Sequence, residues 1–303
     1  MRVLRSLIIV GVLLVAVSVQ AGNTGELVRI KQNYSRMLVP SGEDPFGLLS
    51  ILSSIQPEKE ISDQAVVELH QRYPFDLEKI ATYLSSFTAT GMWPDINYED
   101  KKRSGWEPKL HAERILELVK LYNSKQTDYY HSQEVEKVIH KALDYWFTAK
   151  PVCLNWWYNQ IGIPKTLGTA FILFEEKLTP AEKQKAITVM ENAKFGMTGQ
   201  NKVWLAGNVM MRALLQNDYE LVKMARDTIA SEIVTGGAEG IKDDWCFHQH
   251  GAQQQFGNYG LSFVSGMSFF SGLFSGTSLA FDDKQLGILS TLIDKGYRWV
   301  IWN

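Results

Sequence analysis

The feature of this sequence that most limits its fold is the spacing of its apolar residues. Past the first 20 or so positions they recur at intervals of three and four, and the strict alternation of a half-buried strand is scarce. Val135, Val138, Ile139, Ala142, Leu143 and Trp146 fall on one face of a helix, as do Ile115, Leu118, Val119 and Tyr122. Boundary signals agree with this reading. Thr179-Pro180-Ala181-Glu182 opens a helix with a capping Thr, Pro at the first helical position and a Glu that returns the cap, and Ile187 and Met190 continue its apolar face. Asp282 or Asp283 caps a last helix whose apolar face is expected to carry Leu286, Leu289, Ile293 and Val300. Amphipathic helices of moderate length joined by short polar turns predict an all-α fold of stacked helical hairpins. There is no fixed-period repeat and no Gly/Ser/Pro linker, so a single domain is expected.

The 303 residues suffice for a large core, and 45% hydrophobic with 21% charged residues excludes a disordered chain. A formal net charge of -2 argues against general nucleic-acid binding but permits a locally positive cleft for an acidic ligand. Residues 1–21 read as an export signal: Arg2 and Arg5, an apolar run from Leu7 to Val19, then the small-x-small site Val19-Gln20-Ala21 before Gly22. A secreted or periplasmic protein follows from that reading. Cys153 and Cys246 either pair or remain buried thiols. Leu261 to Phe281 is long and uncharged enough to resemble a membrane span, but nine interspersed Ser and Gly residues favour a helix packed closely inside the protein.

Three segments place polar and aromatic groups where a helical core does not need them. In Asn155-Trp156-Trp157-Tyr158-Asn159-Gln160-Ile161-Gly162-Ile163-Pro164, adjacent tryptophans lie about 100° apart on a helix, so both cannot face one core. They are candidates for stacking on sugar rings, or else core residues at a helix junction. In Phe195-Gly196-Met197-Thr198-Gly199-Gln200-Asn201-Lys202-Val203-Trp204, the Gly, Thr and Asn read as a turn before a helix, with Asn201 a cap or a hydrogen-bond donor and Lys202 uninformative alone. The third runs from Phe247 through His248, His250 and Tyr259 to Gly260. A metal reading needs a third ligand, for which Asp243 and Asp244 are the nearest carboxylates. An acid–base reading uses His near neutral pH and a Tyr assisted by a positive neighbour.

Together these segments resemble polysaccharide lyase family 8, the hyaluronan, chondroitin AC and xanthan lyases, with the chondroitin AC type most alike. Asp95-Ile96-Asn97-Tyr98 with Arg103, Trp106, Pro108 and His111, the Asn-Trp-Trp and Ile-Gly-Ile-Pro block, the Thr-Gly-x-Asn turn and the His-x8-Tyr-Gly segment occur in the family's order. The resemblance implies that residues 22–303 form an incomplete α/α toroid with a long cleft. It implies catalysis by Asn201, His250 and Tyr259 and substrate contact by Asn155, Trp156, Trp157 and Phe195. The implied reaction is β-elimination on a uronic-acid-containing glycosaminoglycan, with no metal and no cofactor. The expected partner is an acidic polysaccharide, with no nucleic acid and no membrane after signal removal, and the chain is expected to be monomeric.

Family members are longer and carry β-sandwich domains, with an Arg and a Glu downstream of the His/Tyr segment. This sequence ends at Trp302-Asn303, and Arg298 lies too early for that Arg. The expectation is therefore a truncated form with weak binding and slow turnover. The alternatives are a toroidal glycoside hydrolase using two carboxylates, such as Asp243, Asp244, Glu175 or Glu176, a glycan-binding module without turnover, and alginate lyase-like elimination on another helical toroid.

Overall fold

The structure, a computed structural model, describes residues 22–39 and 75–300, so the expected export signal at 1–21 lies outside the described residues. Ten α-helices make up most of it. They are α1 (22–38), α2 (Leu77–Ser86), α3 (Lys109–Asn123), α4 (Gln133–Ala149), α5 (Ile163–Leu173), α6 (Pro180–Met190), α7 (Gly199–Gln216), α8 (Tyr219–Ala230), α9 (Leu261–Phe274) and α10 (Asp283–Thr291). Two strands of two residues each, β1 (Gly240–Ile241) and β2 (Phe247–His248), pair antiparallel between α8 and α9. The helices start where short polar side chains accept the free N–H groups of a first turn. Asp76 accepts from Lys79, Ser132 from Val135 and Asp218 from Leu221, while Thr179 and Asp282 form full capping boxes with Glu182 and Gln285. Asn217, left-handed at φ 54°, and Asp218 reverse the chain between α7 and α8, making one antiparallel hairpin.

The helices are wound about α7, which packs on α5, α6, α8 and α9, while α3 packs on both α4 and α5. Of the 18 residues of α7, only Lys202, Trp204, Arg212 and Gln216 escape full burial. A helix enclosed on nearly all sides belongs at the centre of a fold. The faces of α3 and α4 expected from their spacing are all buried. In α9, Phe263, Met267, Phe270 and Phe274 form the buried stripe, and Phe270 rests against Gly207 of α7 where a Cβ would clash. That close approach is provided by Gly207 of α7, whereas the nine Ser and Gly residues of the 261–281 stretch are exposed or half-buried, so α9 is packed along one stripe rather than enclosed as expected. Among the described residues no helix is long and apolar enough to cross a membrane.

The face expected for α10 needs correction. Leu289 is buried, but Leu286, Ile293 and Val300 are exposed. The α-helix ends at Thr291 and widens into a π-turn over Leu292–Gly296, so Leu289, Leu292 and Tyr297 face inward instead. Cys153 and Cys246 are buried free thiols, and burial pushes the Cys246 thiol up to about 11.

His111 of α3 is a core residue with no accessible surface. Its Nε2 lies 2.9 Å from the Ala142 carbonyl, which only accepts, so Nε2 carries the proton and Nδ1 accepts from the Tyr98 hydroxyl at 2.9 Å. Burial pushes this imidazole from 6.5 down to about 4. The unfolded chain therefore takes up the proton first as pH falls, and stability is full above about pH 6.5 and declines toward pH 4. The contribution of this one group is about 3 kcal/mol. In urea unfolding, His111→Gln is expected to be weaker at pH 7 yet flatter between pH 6.5 and 4 than the parent protein. An unchanged slope would assign the titration to another group.

Candidate active site

The site begins at the N-terminus of α7. Thr198 occupies the capping position but does not cap, because its hydroxyl donates to Glu239 at 2.6 Å. The first N–H groups are satisfied from elsewhere in the chain: Gly199 donates to Glu232 and Gln200 to Gln249 Oε1, each at 2.9 Å. Gly199 is left-handed at φ 58° and has no room for a Cβ beside the Gln249 amide, so only glycine fits. Asn201 is thus not the cap but a first-turn residue, 7% exposed. Of its two amide atoms only Oδ1 is enclosed without a hydrogen-bond partner among the described residues.

The β1–β2 ribbon leads into a turn that carries His250 at φ 58°, a conformation rare for a side-chain-bearing residue. Glu239 grips this turn. One carboxylate oxygen accepts from Gly251 N–H at 2.8 Å, and the other accepts from Thr198 and from Gln249 Nε2. Partial burial would raise the Glu239 carboxyl, but those hydrogen bonds and the nearby imidazole hold it below the usual range. Tyr259 sits in a π-turn, Phe256–Gly260, and its ring meets the His250 ring edge-on at 4.9 Å between centroids. Gly260 has no room for a Cβ, with Gln255 O and Phe247 Cβ both 2.9 Å away and the Tyr297 hydroxyl closer still.

An aromatic row extends from there. Tyr259 packs on Trp204 of α7 at 5.7 Å, Trp204 on Trp157 at 5.8 Å, Trp157 on Tyr158 at 5.6 Å and Tyr158 on Trp106 at 5.8 Å. Trp156 points out, 41% exposed, as expected for one of two adjacent tryptophans. Asn155 has both amide groups engaged by the chain itself, accepting from Trp157 N–H and donating to Arg103 O at 3.0 Å each. These bonds fix its side chain beside the tryptophans. Phe195 lies half-exposed in the loop leading to Thr198. A second π-turn follows Trp157 at Tyr158–Gly162, and Asn208 of α7 donates to its Gln160 and Ile161 carbonyls at 3.2 and 3.1 Å.

Trp157 and Trp204 also line a cavity of about 900 Å³ that runs inward between α1, α3, α5, α7 and α9. Lys109, Lys120 and Lys165 stand in its wall, and burial pushes the ammonium groups of Lys120 and Lys165 down. His250 and Tyr259 lie outside this lining, so the paired rings sit at the rim rather than in the interior. Arg298 is paired with Asp294 at 3.1 Å on the surface. Asp243 and Asp244 do not join the two histidines in a metal-binding group among the described residues.

Direct contact therefore joins His250 to Tyr259, and the Gln200–Gln249 bond ties the Asn201 turn to the same place. Sequence reasoning did not assign Trp204, Gln249 or Glu239. Trp204 had a usable signal, three positions after Asn201 on one helix face. The other two had none, since their roles arise from pairing between distant segments. If the left-handed backbone at His250 is strained by its side chain, His250→Gly is expected to keep or raise stability, by about 1 kcal/mol. Chemical unfolding measures this, and a marked loss would show that imidazole packing on Tyr259 outweighs the strain.

Comparison with known proteins adds to this geometry. Residues 58–303 match the polysaccharide lyase family 8 N-terminal alpha-helical domain. The chain is 29% identical over 228 residues to the chondroitinase-AC of Pedobacter heparinus, covering 73% of this chain and 33% of that protein. It is 26% identical over 225 residues to a hyaluronate lyase of Thermasporomyces composti, covering 71% and 28%. The chain thus spans about a third or less of the length of these relatives. A solved chondroitinase AC lyase, studied as oligosaccharide complexes, superposes with a TM-score of 0.67 at 28% identity over 74% of this chain and 34% of that one. The Streptomyces coelicolor A3 chondroitin AC lyase shares the fold at a TM-score of 0.71 and 17% identity, over 91% of this chain and 36% of that one. The chain belongs to polysaccharide lyase family 8, and its helices are the toroidal N-terminal domain of that family.

Proposed function

We propose that this chain is the helical part of an exported lyase that cleaves uronic-acid-containing polysaccharides of the chondroitin or hyaluronan type by β-elimination. The observation that carries the reading is the His250–Tyr259 ring pair, 4.9 Å apart at the end of an aromatic row, beside the helix turn that bears Asn201. Elimination removes the weakly acidic C5 proton of a uronate and expels the 4-linked oxygen. The Asn201 amide supplies hydrogen bonding to the uronate carboxylate as charge develops there. The His250–Tyr259 pair takes the C5 proton, and Tyr259 returns a proton to the leaving glycosidic oxygen. Trp156, Trp157 and Phe195 offer apolar faces to sugar rings, and Lys120 and Lys165 in the cavity wall favour an anion, Lys109 being paired with Glu113. The relatives are named as lyases of chondroitin, hyaluronan and xanthan, which supports this substrate class. The signal read at residues 1–21 supports export.

A hydrolase reading is less well supported. Glu175 is bound to both Lys31 and Lys183, at 2.7 and 2.8 Å, and Asp243 and Asp244 are neighbours on one exposed turn. Neither set offers two carboxylates across a cleft. The test is incubation with chondroitin and with hyaluronan while following the ultraviolet absorbance of a conjugated uronide. Absorbance is expected to rise, and His250→Ala is expected to slow it by about 10²–10⁴-fold. Reducing ends without absorbance would instead indicate hydrolysis. Binding without product, unaffected by Tyr259→Phe, would indicate a glycan-binding module.

A further inference from the structure

Asn201 and His250 come from different elements, α7 and the turn after β2, and the proposed chemistry requires them to act on one sugar carboxylate. Functional groups brought together this way must be held to within about 0.5 Å. Two features work against that here. The His250 backbone is left-handed at φ 58°, and the Asn201 turn has no cap of its own, because the Thr198 hydroxyl is turned to Glu239. Gln249 is the side chain that bridges the two segments. It is 1% exposed, and its Oε1 accepts from the Gln200 N–H at 2.9 Å, immediately before Asn201. Its Nε2 donates to the Thr198 carbonyl at 3.3 Å and to Glu239. Glu239 in turn accepts from the Gly251 N–H at 2.8 Å, so both chain neighbours of His250 are anchored.

We propose that Gln249, held by Glu239, is a positioning residue that keeps the His250 turn in register with the Asn201 turn. This rests on the lyase reading above. The bridge needs one acceptor and two donors at the end of a side chain of this length. A Glu at 249 lacks the donors and sets a second carboxylate against Glu239, a Leu lacks both functions, and an Asn is one carbon short. Gly199 belongs to the same device, since its missing Cβ is what lets the Gln249 amide approach the helix start.

The experiment uses the whole chain with chondroitin, comparing Gln249→Leu, Gln249→Glu and the exchange Glu239→Gln with Gln249→Glu. Misplacement of about 1 Å costs on the order of 10²-fold in rate. Gln249→Leu and Gln249→Glu are expected to lower kcat by about 10–100-fold with KM changed by less than about threefold. The exchange restores a donor–carboxylate pair between the two positions and is expected to recover about tenfold relative to Gln249→Glu. Ring resonances of 15N-labelled histidine give a readout free of turnover. Those of His250 are expected to shift or broaden in Gln249→Leu while those of His111, His131 and His140, on other elements, hold their positions. Unchanged kcat with unchanged His250 resonances overturns the proposal. So does a general loss of folding in which all histidine resonances move together. If the parent protein yields no unsaturated uronide, the lyase reading fails, and the His250 resonances alone decide whether Gln249 holds the turn.

Discussion

Everything at the site hangs on one electrostatic requirement: the first turn of α7 is buried, and its N–H groups must find acceptors without water. A buried N–H left unpaired costs about 1–3 kcal/mol. The local capping residue does not serve, so acceptors come from Glu232, 33 residues on, and Gln249, 49 residues on. Glu232 suits the place doubly, as an anion at the positive end of a helix dipole, and Lys202 balances it at 2.5 Å. Satisfying this one helix start therefore draws the loop after α8 and the β2 turn to the same spot. That assembly brings His250 and Tyr259 beside the turn of Asn201.

Not every polar group there is satisfied. Both amide atoms of Gln200 and the Asn201 oxygen are buried with no hydrogen-bond partner among the described residues. Unpaired groups of this kind are uncommon in a folded protein and call for a reason. Here they sit beside two left-handed residues, Gly199 and His250, and near two π-turns, at Tyr158–Gly162 and Phe256–Gly260. Such irregularities concentrate where shape serves binding or chemistry rather than stability. Asn208 shows how the fold contains them, by donating to two carbonyls that the first π-turn leaves free.

The helices were legible in the sequence wherever one face met the core and a short polar residue marked the start. Val135 to Trp146, the Thr179 box and the Asp282 cap show this directly. Reading failed at α10, because a π-turn changes the angular step and no periodic rule anticipates it. The pairing of His250 with Tyr259 was reached through motif resemblance, and the ring contact now gives it a physical form. Asn155 was expected to contact substrate, and the bonds that fix its amide, to the Arg103 carbonyl and from the Trp157 N–H, are a detail of backbone geometry that composition does not encode. Gln249 and Glu239 were invisible for a related reason: in isolation a Gln in a polar run and a Glu in a loop look like solvated surface.

Helix α1 has a consequence of another kind. Asn33 donates to the Leu273 and Ser275 carbonyls, Tyr34 meets Thr169 at 2.9 Å, and Glu26 accepts from Ser278 at both its N–H and its hydroxyl. The contacts of α1 with the end of α9 thus join residues 240 and more apart in the chain. Contacts of that separation form slowly, because a long loop must close before they repay it. During synthesis α1 meets a first partner, Thr169 of α5, 135 residues on, and its partners at the end of α9 only much later. The final seating of α1 is therefore coupled to the arrival of α9, which ties two distant parts of the chain into one cooperative unit.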